Sequence, residues 1–221
     1  IHRQADGPSA HPSMSYYFDP SPGGNLVAFD SEATNLVAGA TDTNGVSDVY
    51  LRDMGTDATT RISVAFDGGE PNDRSYDPSI RFGGRYVAFS SDASNLVPGD
   101  HNGLADVFVR DLQTDTTTRL SVAADGTEGN GPSGKPSLGA DGRVAFESWA
   151  TNLVPGDTNQ TGDVFVRNPG AGTTTTTVQP PPTSTSSTSS TSTPVPTTSS
   201  TSTQTPTTSS ITKKSSPSSS P

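Results

Sequence analysis

Cysteine is absent from the 221 residues, which excludes a disulfide framework, a thiolate metal site and a cysteine nucleophile. Apolar residues are scarce: 28% of the chain is hydrophobic and 6% aromatic, with one tryptophan. A typical globular chain is about 45–50% apolar with glycine counted, so one evenly mixed domain of this composition would be short of core. Long apolar runs are also missing. The longest are four residues, against the ~20 that a membrane-spanning helix requires. Positive charge is in deficit, with 13 Lys and Arg against 23 Asp and Glu, for a net charge of −10. Nucleic acid and anionic membrane surfaces, which need a basic face, are therefore not expected partners. No basic segment followed by an apolar stretch is visible after Ile1, so no signal peptide is read here, as would hold for a mature or truncated product.

The shortage of apolar residues is uneven. Of the 49 residues from Thr173 to Pro221, 42 are Ser, Thr or Pro, and the only charges are Lys213 and Lys214. Such a stretch cannot bury enough surface to offset the entropy of ordering it. Residues 170–221 thus read as a disordered Ser/Thr/Pro-rich tail, of the kind that forms stalks and linkers. All 23 acids precede residue 169 together with 11 of the bases, so the remaining body carries −12.

That body is repetitive. Asn25–Val37, Arg85–Val97 and Arg143–Val154 each contain Val-Ala-Phe and end in Asn-Leu-Val. A Gly/Asp/Asn-rich loop follows each, then Asp48-Val-Tyr-Leu-Arg52, Asp106-Val-Phe-Val-Arg110 or Asp163-Val-Phe-Val-Arg167. The first two repeats continue into Arg61-Ile-Ser-Val64 and Arg119-Leu-Ser-Val122, and then a turn with Asp67-Gly68 or Asp125-Gly126. Val27, Val87 and Val144 are spaced by 60 and 57 residues, and the third repeat has no counterpart of Tyr86. Short apolar runs bounded by Gly, Asn, Asp and Pro read as strands. Pro78–Ile80 and Pro136–Leu138 supply a further strand per repeat. Four strands per unit, with no helical period, is the pattern of an all-β propeller blade.

In this order, Pro-Ser-hydrophobic, Gly-Arg-Val-Ala-Phe, Asp-Val-Phe-Val-Arg and Thr-Thr-Arg-Leu-Ser resemble the WD40-like repeats of TolB-type β-propellers, over roughly residues 12–168. The resemblance implies four-stranded antiparallel blades and a protein-binding or scaffolding role. Related propellers also form the non-catalytic part of some serine peptidases, which is the alternative setting. Residues 12–169 are expected to form three blades, at about 12–78, 79–136 and an incomplete 137–169. Residues 1–11 read as the remnant of a preceding blade, since Gln4-Ala5-Asp6-Gly7 matches Ala123-Ala124-Asp125-Gly126. A closed ring needs about 4–8 blades, so further blades are expected from a longer chain or from self-association.

The motif with the most chemistry recurs once per blade: Asp42-Thr-Asn44-Gly45 leading to Asp48, Asp100-His-Asn102-Gly103 leading to Asp106, and Asp157-Thr-Asn159-Gln160 leading to Asp163. Two readings fit. Oxygens from two Asp and an Asn can converge on Ca²⁺, which takes six to eight oxygen ligands. The spacing is not that of an EF-hand loop, and the third copy has Gln160 in place of Gly. Alternatively, Asp and Asn cap a tight turn by bonding nearby backbone N–H groups. Arg52, Arg110 and Arg167 recur at strand ends, as structural pairs or as a ligand-facing ring. Asn35, Asn95 and Asn152 are expected to satisfy loop backbone, with Leu36, Leu96 and Leu153 packing between blades.

Enzyme signatures are missing. His2, His11 and His101 show no zinc spacing, and no Gly-x-Ser-x-Gly elbow occurs. Trp149 stands where the other repeats have Glu32 and Asp92, and offers a stacking surface for protein or sugar. The expectation is a non-catalytic binding or scaffold module, extracytoplasmic and carried on a stalk. Its partner is expected to be a protein, with carbohydrate as a second class. A Ca²⁺-stabilised structural repeat is the remaining alternative.

Overall fold

The computed structural model describes residues 15–20, 24–37, 42–169 and 176–177. The remnant expected at 1–11 and nearly all of the tail expected at 170–221 lie outside the described residues.

Among the described residues, twelve strands form three four-stranded antiparallel sheets, each with its strands in chain order. The first holds β1 (Ser15–Pro20), β2 (Leu26–Ser31), β3 (Asp48–Asp53) and β4 (Ala58–Arg61). The second holds β5 (Ser75–Arg81), β6 (Tyr86–Ser91), β7 (Asp106–Asp111) and β8 (Thr116–Arg119). The third holds β9 (Ser133–Leu138), β10 (Val144–Ser148), β11 (Asp163–Arg167) and β12 (Thr176–Thr177). Successive sheets meet chiefly through their first and second strands, with β1 beside β5 and β5 beside β9. These are propeller blades.

The third blade corrects the boundary read from sequence. Its fourth strand comes from the Thr run, inside the segment expected to be tail: Thr176 and Thr177 pair with Val166 and Phe165. Ladder bonds use backbone groups, and β-branched Thr suits a pleated strand. The blade is therefore four-stranded, and it extends past residue 169.

The repeats superimpose in register. Val27, Val87 and Val144 lie opposite Arg52, Arg110 and Arg167. Two positions along, Phe29–Tyr50, Phe89–Phe108 and Phe146–Phe165 stack across the strand pair with ring centroids 5.8–5.9 Å apart. The missing counterpart of Tyr86 shortens β10 to five residues against six in β6.

Each core is shared between blades. Ala28, Val49, Leu51 and Ile62 of the first blade pack with Ile80, Val87, Phe89, Leu96 and Phe108 of the second. The opposite face of the second blade, with Ala88, Val107, Val109 and Leu120, packs with Leu138, Val144, Phe146, Leu153 and Phe165 of the third. The central β6 is thus buried along its whole length, which explains why it reads Tyr-Val-Ala-Phe-Ser-Ser with no polar alternation. Backbone-to-side-chain bonds cross the same seam: Lys135 N–H donates to Ser90 Oγ at 3.2 Å and Leu138 N–H to Ser79 Oγ at 3.0 Å.

Leu96 is a plug in the first seam, with 1% of its surface exposed. Leu96→Ala should cost about 2–5 kcal/mol, the range for a buried Leu truncated in a packed core. The shift in the urea unfolding midpoint measures this.

Candidate functional site

The acidic loops join the second strand of each blade to the third. The connectors to the next blade run alongside them. In the first loop, Asn44 Nδ2 donates to Asp48 Oδ2 and to the Pro71 carbonyl, both at 3.2 Å. Asn44 Oδ1 accepts the Val46 N–H at 3.0 Å. The second loop repeats this: Asn102 Nδ2 donates to Asp106 at 2.9 Å and to the Gly129 carbonyl at 3.2 Å, while Oδ1 accepts the Leu104 N–H at 2.9 Å. The Asn oxygens are therefore engaged by their own turns. Gly45 and Gly103 sit at φ +73° and +65°, and Gln160 holds the same left-handed region at +55°, where a side chain is disfavoured.

The carboxylates converge on an arginine. Arg61 NH1 lies 3.5 Å from Asp48 and 3.0 Å from Glu70. Arg119 NH1 lies 3.1 Å from Asp100, 3.3 Å from Asp106 and 2.7 Å from Glu128. Ser63 Oγ donates to Asp48 at 2.9 Å and accepts the Val49 N–H at 3.0 Å, and Ser121 takes the same part with Asp106 and Val107. Asp42 differs from Asp100 in its partner: it accepts the Tyr50 hydroxyl at 2.7 Å, where the second blade has Phe108.

Burial sets the charge balance. Desolvation pushes the Asp48 carboxyl above its usual range; Ser63 opposes this and Asp42 adds to it. Desolvation likewise raises Asp106 against the pull of Ser121, Asn102 and Arg119, and raises Asp100 against Arg119. Glu128, more exposed, is lowered on balance: desolvation works against the shift, but the His101 N–H and Arg119 outweigh it.

The third loop is built differently. Asn159 Nδ2 donates to both oxygens of Asp163 at 3.1 Å and Oδ1 accepts the Thr161 N–H at 3.0 Å. The residue opposite Phe165 is Thr177, where the first two blades place Arg61 opposite Tyr50 and Arg119 opposite Phe108. Asp157 and Asp163 thus have no repeat-encoded guanidinium. Among the described residues, no group of three or more His, Asp or Glu side chains is arranged to hold a metal ion.

Sequence reasoning missed Arg61, Arg119, Glu70 and Glu128. The available signal was an Arg-x-Ser segment and a connector Glu recurring in the first two repeats. The other recurring residues lie elsewhere. Arg52 pairs with Asp57 and donates to Thr59 at 3.1 Å, Arg110 pairs with Asp115 and donates to Thr117 at 3.1 Å, and Arg167 donates to the Val122 carbonyl of the preceding blade. Asn95 accepts the Asn72 N–H and donates to the Glu70 carbonyl, both at 2.9 Å. Asn152 does the same with Asn130 at 3.0 Å and Glu128 at 2.8 Å. Each connector is thereby tied to the loop of its own blade and to the loop of the next.

Solved structures similar to this chain include TolB from Agrobacterium tumefaciens, at 17% identity and a TM-score of 0.46, covering 76% of this chain and 49% of that one. TolB from Acinetobacter baumannii is 20% identical, with a TM-score of 0.43 and coverage of 74% and 32%. The β-propeller domain of the Trilobed protease from Pyrococcus furiosus is 15% identical, with a TM-score of 0.45 and coverage of 71% and 39%. The likeness is to TolB-type and other β-propellers. This chain spans half or less of the length of each. No family model and no curated protein matches the sequence.

Two outcomes follow. Arg119→Met leaves three carboxylates, Asp100, the buried Asp106 and Glu128, facing one another, and should cost about 3–5 kcal/mol at pH 7, as for a broken buried ion pair. A carboxyl whose folded pKa is raised binds its proton more tightly in the folded state, so its contribution is full below the ordinary carboxylate value and fades as pH rises. Without Arg119 the rise at Asp106 grows, so the deficit of the variant should shrink between pH 7 and pH 5 in urea titrations. Second, a guanidinium at the convergence point already supplies the positive charge in two loops. Thermal melts in millimolar Ca²⁺ and in chelator should coincide. A rise in Ca²⁺ that Asp157→Asn removes would assign an ion to the third loop.

Proposed function

We propose that the chain is a non-catalytic β-propeller module that binds a protein partner through an acidic rim, outside the cytoplasm and on a Ser/Thr/Pro-rich stalk. The observation that carries this reading is the stitched rim. Loops 42–48 and 100–106, the Asn-Leu-Val segments at Asn95 and Asn152 and the connectors between blades are held by Asn-mediated hydrogen bonds to neighbouring backbone, so the surface is ordered before any partner arrives. Glu70, Asp73, Asp92, Glu128 and Asp157 lie along it, on a body of charge −12. Such a surface selects a basic partner and speeds its encounter. The acids engage backbone and arginine groups, and the described histidine, His101, is exposed with its N–H on Glu128 at 2.8 Å, which supports binding over chemistry. The stalk and the extracytoplasmic setting rest on the tail composition.

Trp149 favours a second partner class, carbohydrate. Its side chain is 52% exposed at the rim and lies over Gly162, where an added Cβ would meet the ring at 2.9 Å.

Trp149 also gives a fluorescence signal for titrations. A nona-arginine peptide should bind at 50 mM salt and weaken at least tenfold at 500 mM, as screening shortens the reach of the rim charges. Asp73→Asn with Asp157→Asn should weaken it further at low salt. No binding, or binding indifferent to salt, would overturn the acidic-rim reading; quenching by a neutral oligosaccharide that Trp149→Ala abolishes would favour the second.

A further inference from the structure

Asn-Gly occurs three times in the chain, at Asn44-Gly45, Asn102-Gly103 and Asn130-Gly131. The pair is chemically labile, because glycine has no side chain to hinder the attack of its own amide nitrogen on the carboxamide before it. Two of the three lie in the acidic loops, at the same place in the first and second blades. The third loop has Asn159-Gln160 there and serves as an internal control.

The second loop has a blade on either side of it. Gly103 is exposed, and a Cβ added to it would meet nothing within 4 Å. Solvent base therefore reaches its N–H, and lack of access does not protect the pair. The asparagine is what is held. Asn102 Nδ2 donates to Asp106 at 2.9 Å and to the Gly129 carbonyl at 3.2 Å, while Oδ1 accepts the Leu104 N–H at 2.9 Å. Loss of Nδ2 must give up both of its bonds, one of them to a carboxylate that is 0% exposed and costly to leave short of a donor. The Leu104 bond fixes the carboxamide against rotation onto the Gly103 nitrogen. Asn44 is held in the same three ways, by Asp48, Pro71 and Val46.

We propose that Asn102-Gly103 and Asn44-Gly45 are deamidation sites that the folded blade keeps closed and that open when the loop leaves its connector. In the reaction the Gly103 nitrogen gives its proton to solvent base and bonds to Asn102 Cγ. The Cγ–Nδ2 bond breaks, and Nδ2 takes up a proton and leaves as ammonia. Water then opens the cyclic imide at either carbonyl, to aspartate or isoaspartate. The product cannot rebuild the loop. A carboxylate has no N–H for Asp106 or for the Gly129 carbonyl, and it sets a second negative charge against a buried one. Isoaspartate also adds a methylene to the backbone and displaces the Leu104 N–H. Opening of the rim is thereby made irreversible at two of its three loops. The connector pair differs in consequence: Asn130 Nδ2 donates to Thr151 Oγ1 at 2.9 Å, a hydroxyl that can turn and donate to a carboxylate instead. The inference does not depend on what the rim binds.

The test is peptide mass spectrometry on the full chain, held at pH 8 in buffer or in urea and then digested with trypsin. Peptide 86–110 carries Asn102 and peptide 144–167 carries Asn159; fragmentation assigns the converted residue. Conversion of Asn102 to aspartate and isoaspartate should run at least about tenfold faster in urea than in the folded chain, with Asn159 lagging far behind it in urea. A smaller ratio, no conversion of Asn102 in urea, or Asn159 converting as fast as Asn102 would overturn the proposal. Asn102→Asp tests the consequence. Its urea midpoint should fall below that of the wild type, while Asn130→Asp should stay close to it. A wild-type midpoint for Asn102→Asp would overturn the irreversibility.

Discussion

Everything in this structure depends on the fact that a blade has two apolar faces and supplies only half of each core. A four-stranded sheet with Val-Ala-Phe and Val-Phe-Val in its middle strands cannot bury both faces alone. The second blade shows the satisfied state: Val87 and Phe89 lie in one seam and Ala88 and Val107 in the other. The same logic lets a chain with so few apolar residues fold, because each small core is used by two sheets. It also means that stability is a sum over seams rather than the property of one centre.

The polar chemistry follows from that arrangement. Stacking sheets face to face brings the end of one blade against the start of the next, and the backbone groups of the connectors must be satisfied there. The Asn of Asn-Leu-Val does this with the connector behind it, while the Leu enters the seam. The Asn of the acidic loop holds the same connector from the other side. Asp48 and Asp106 are buried so completely that each requires both a hydroxyl and a guanidinium to remain compatible with the fold.

The repeat made the blades legible. Val-Ala-Phe, Asn-Leu-Val and Asp-Val-Phe-Val-Arg fell on strands and loops as their spacing predicts, because a seam constrains both faces of a strand and leaves little freedom of composition. The turn geometry of Asn44 and Asn102 was legible for the same reason. Two features were not. Thr176 and Thr177 lie in a sequence with no apolar signal, and an outer strand needs none, since its pairing with β11 is made by backbone. The Arg61 and Arg119 clusters escaped because their members are distant in sequence: loop acid, strand arginine and connector glutamate meet only when the blade closes. A reading that treats each loop as a unit sees two acids and an asparagine and looks for a metal.

The third repeat shows how far local sequence can be trusted. It keeps the aromatic pair and the Asn turn, yet has Gln160 in a left-handed position, Trp149 in place of an acid, and Thr177 where an arginine belongs. The substitutions cluster on the loop and the outer strand; the positions facing the second blade are kept. Constraint therefore tracks contact. Val144, Phe146 and Leu153 hold because the second blade demands them, whereas Val164 retains the identity of Val107 without the burial of Val107.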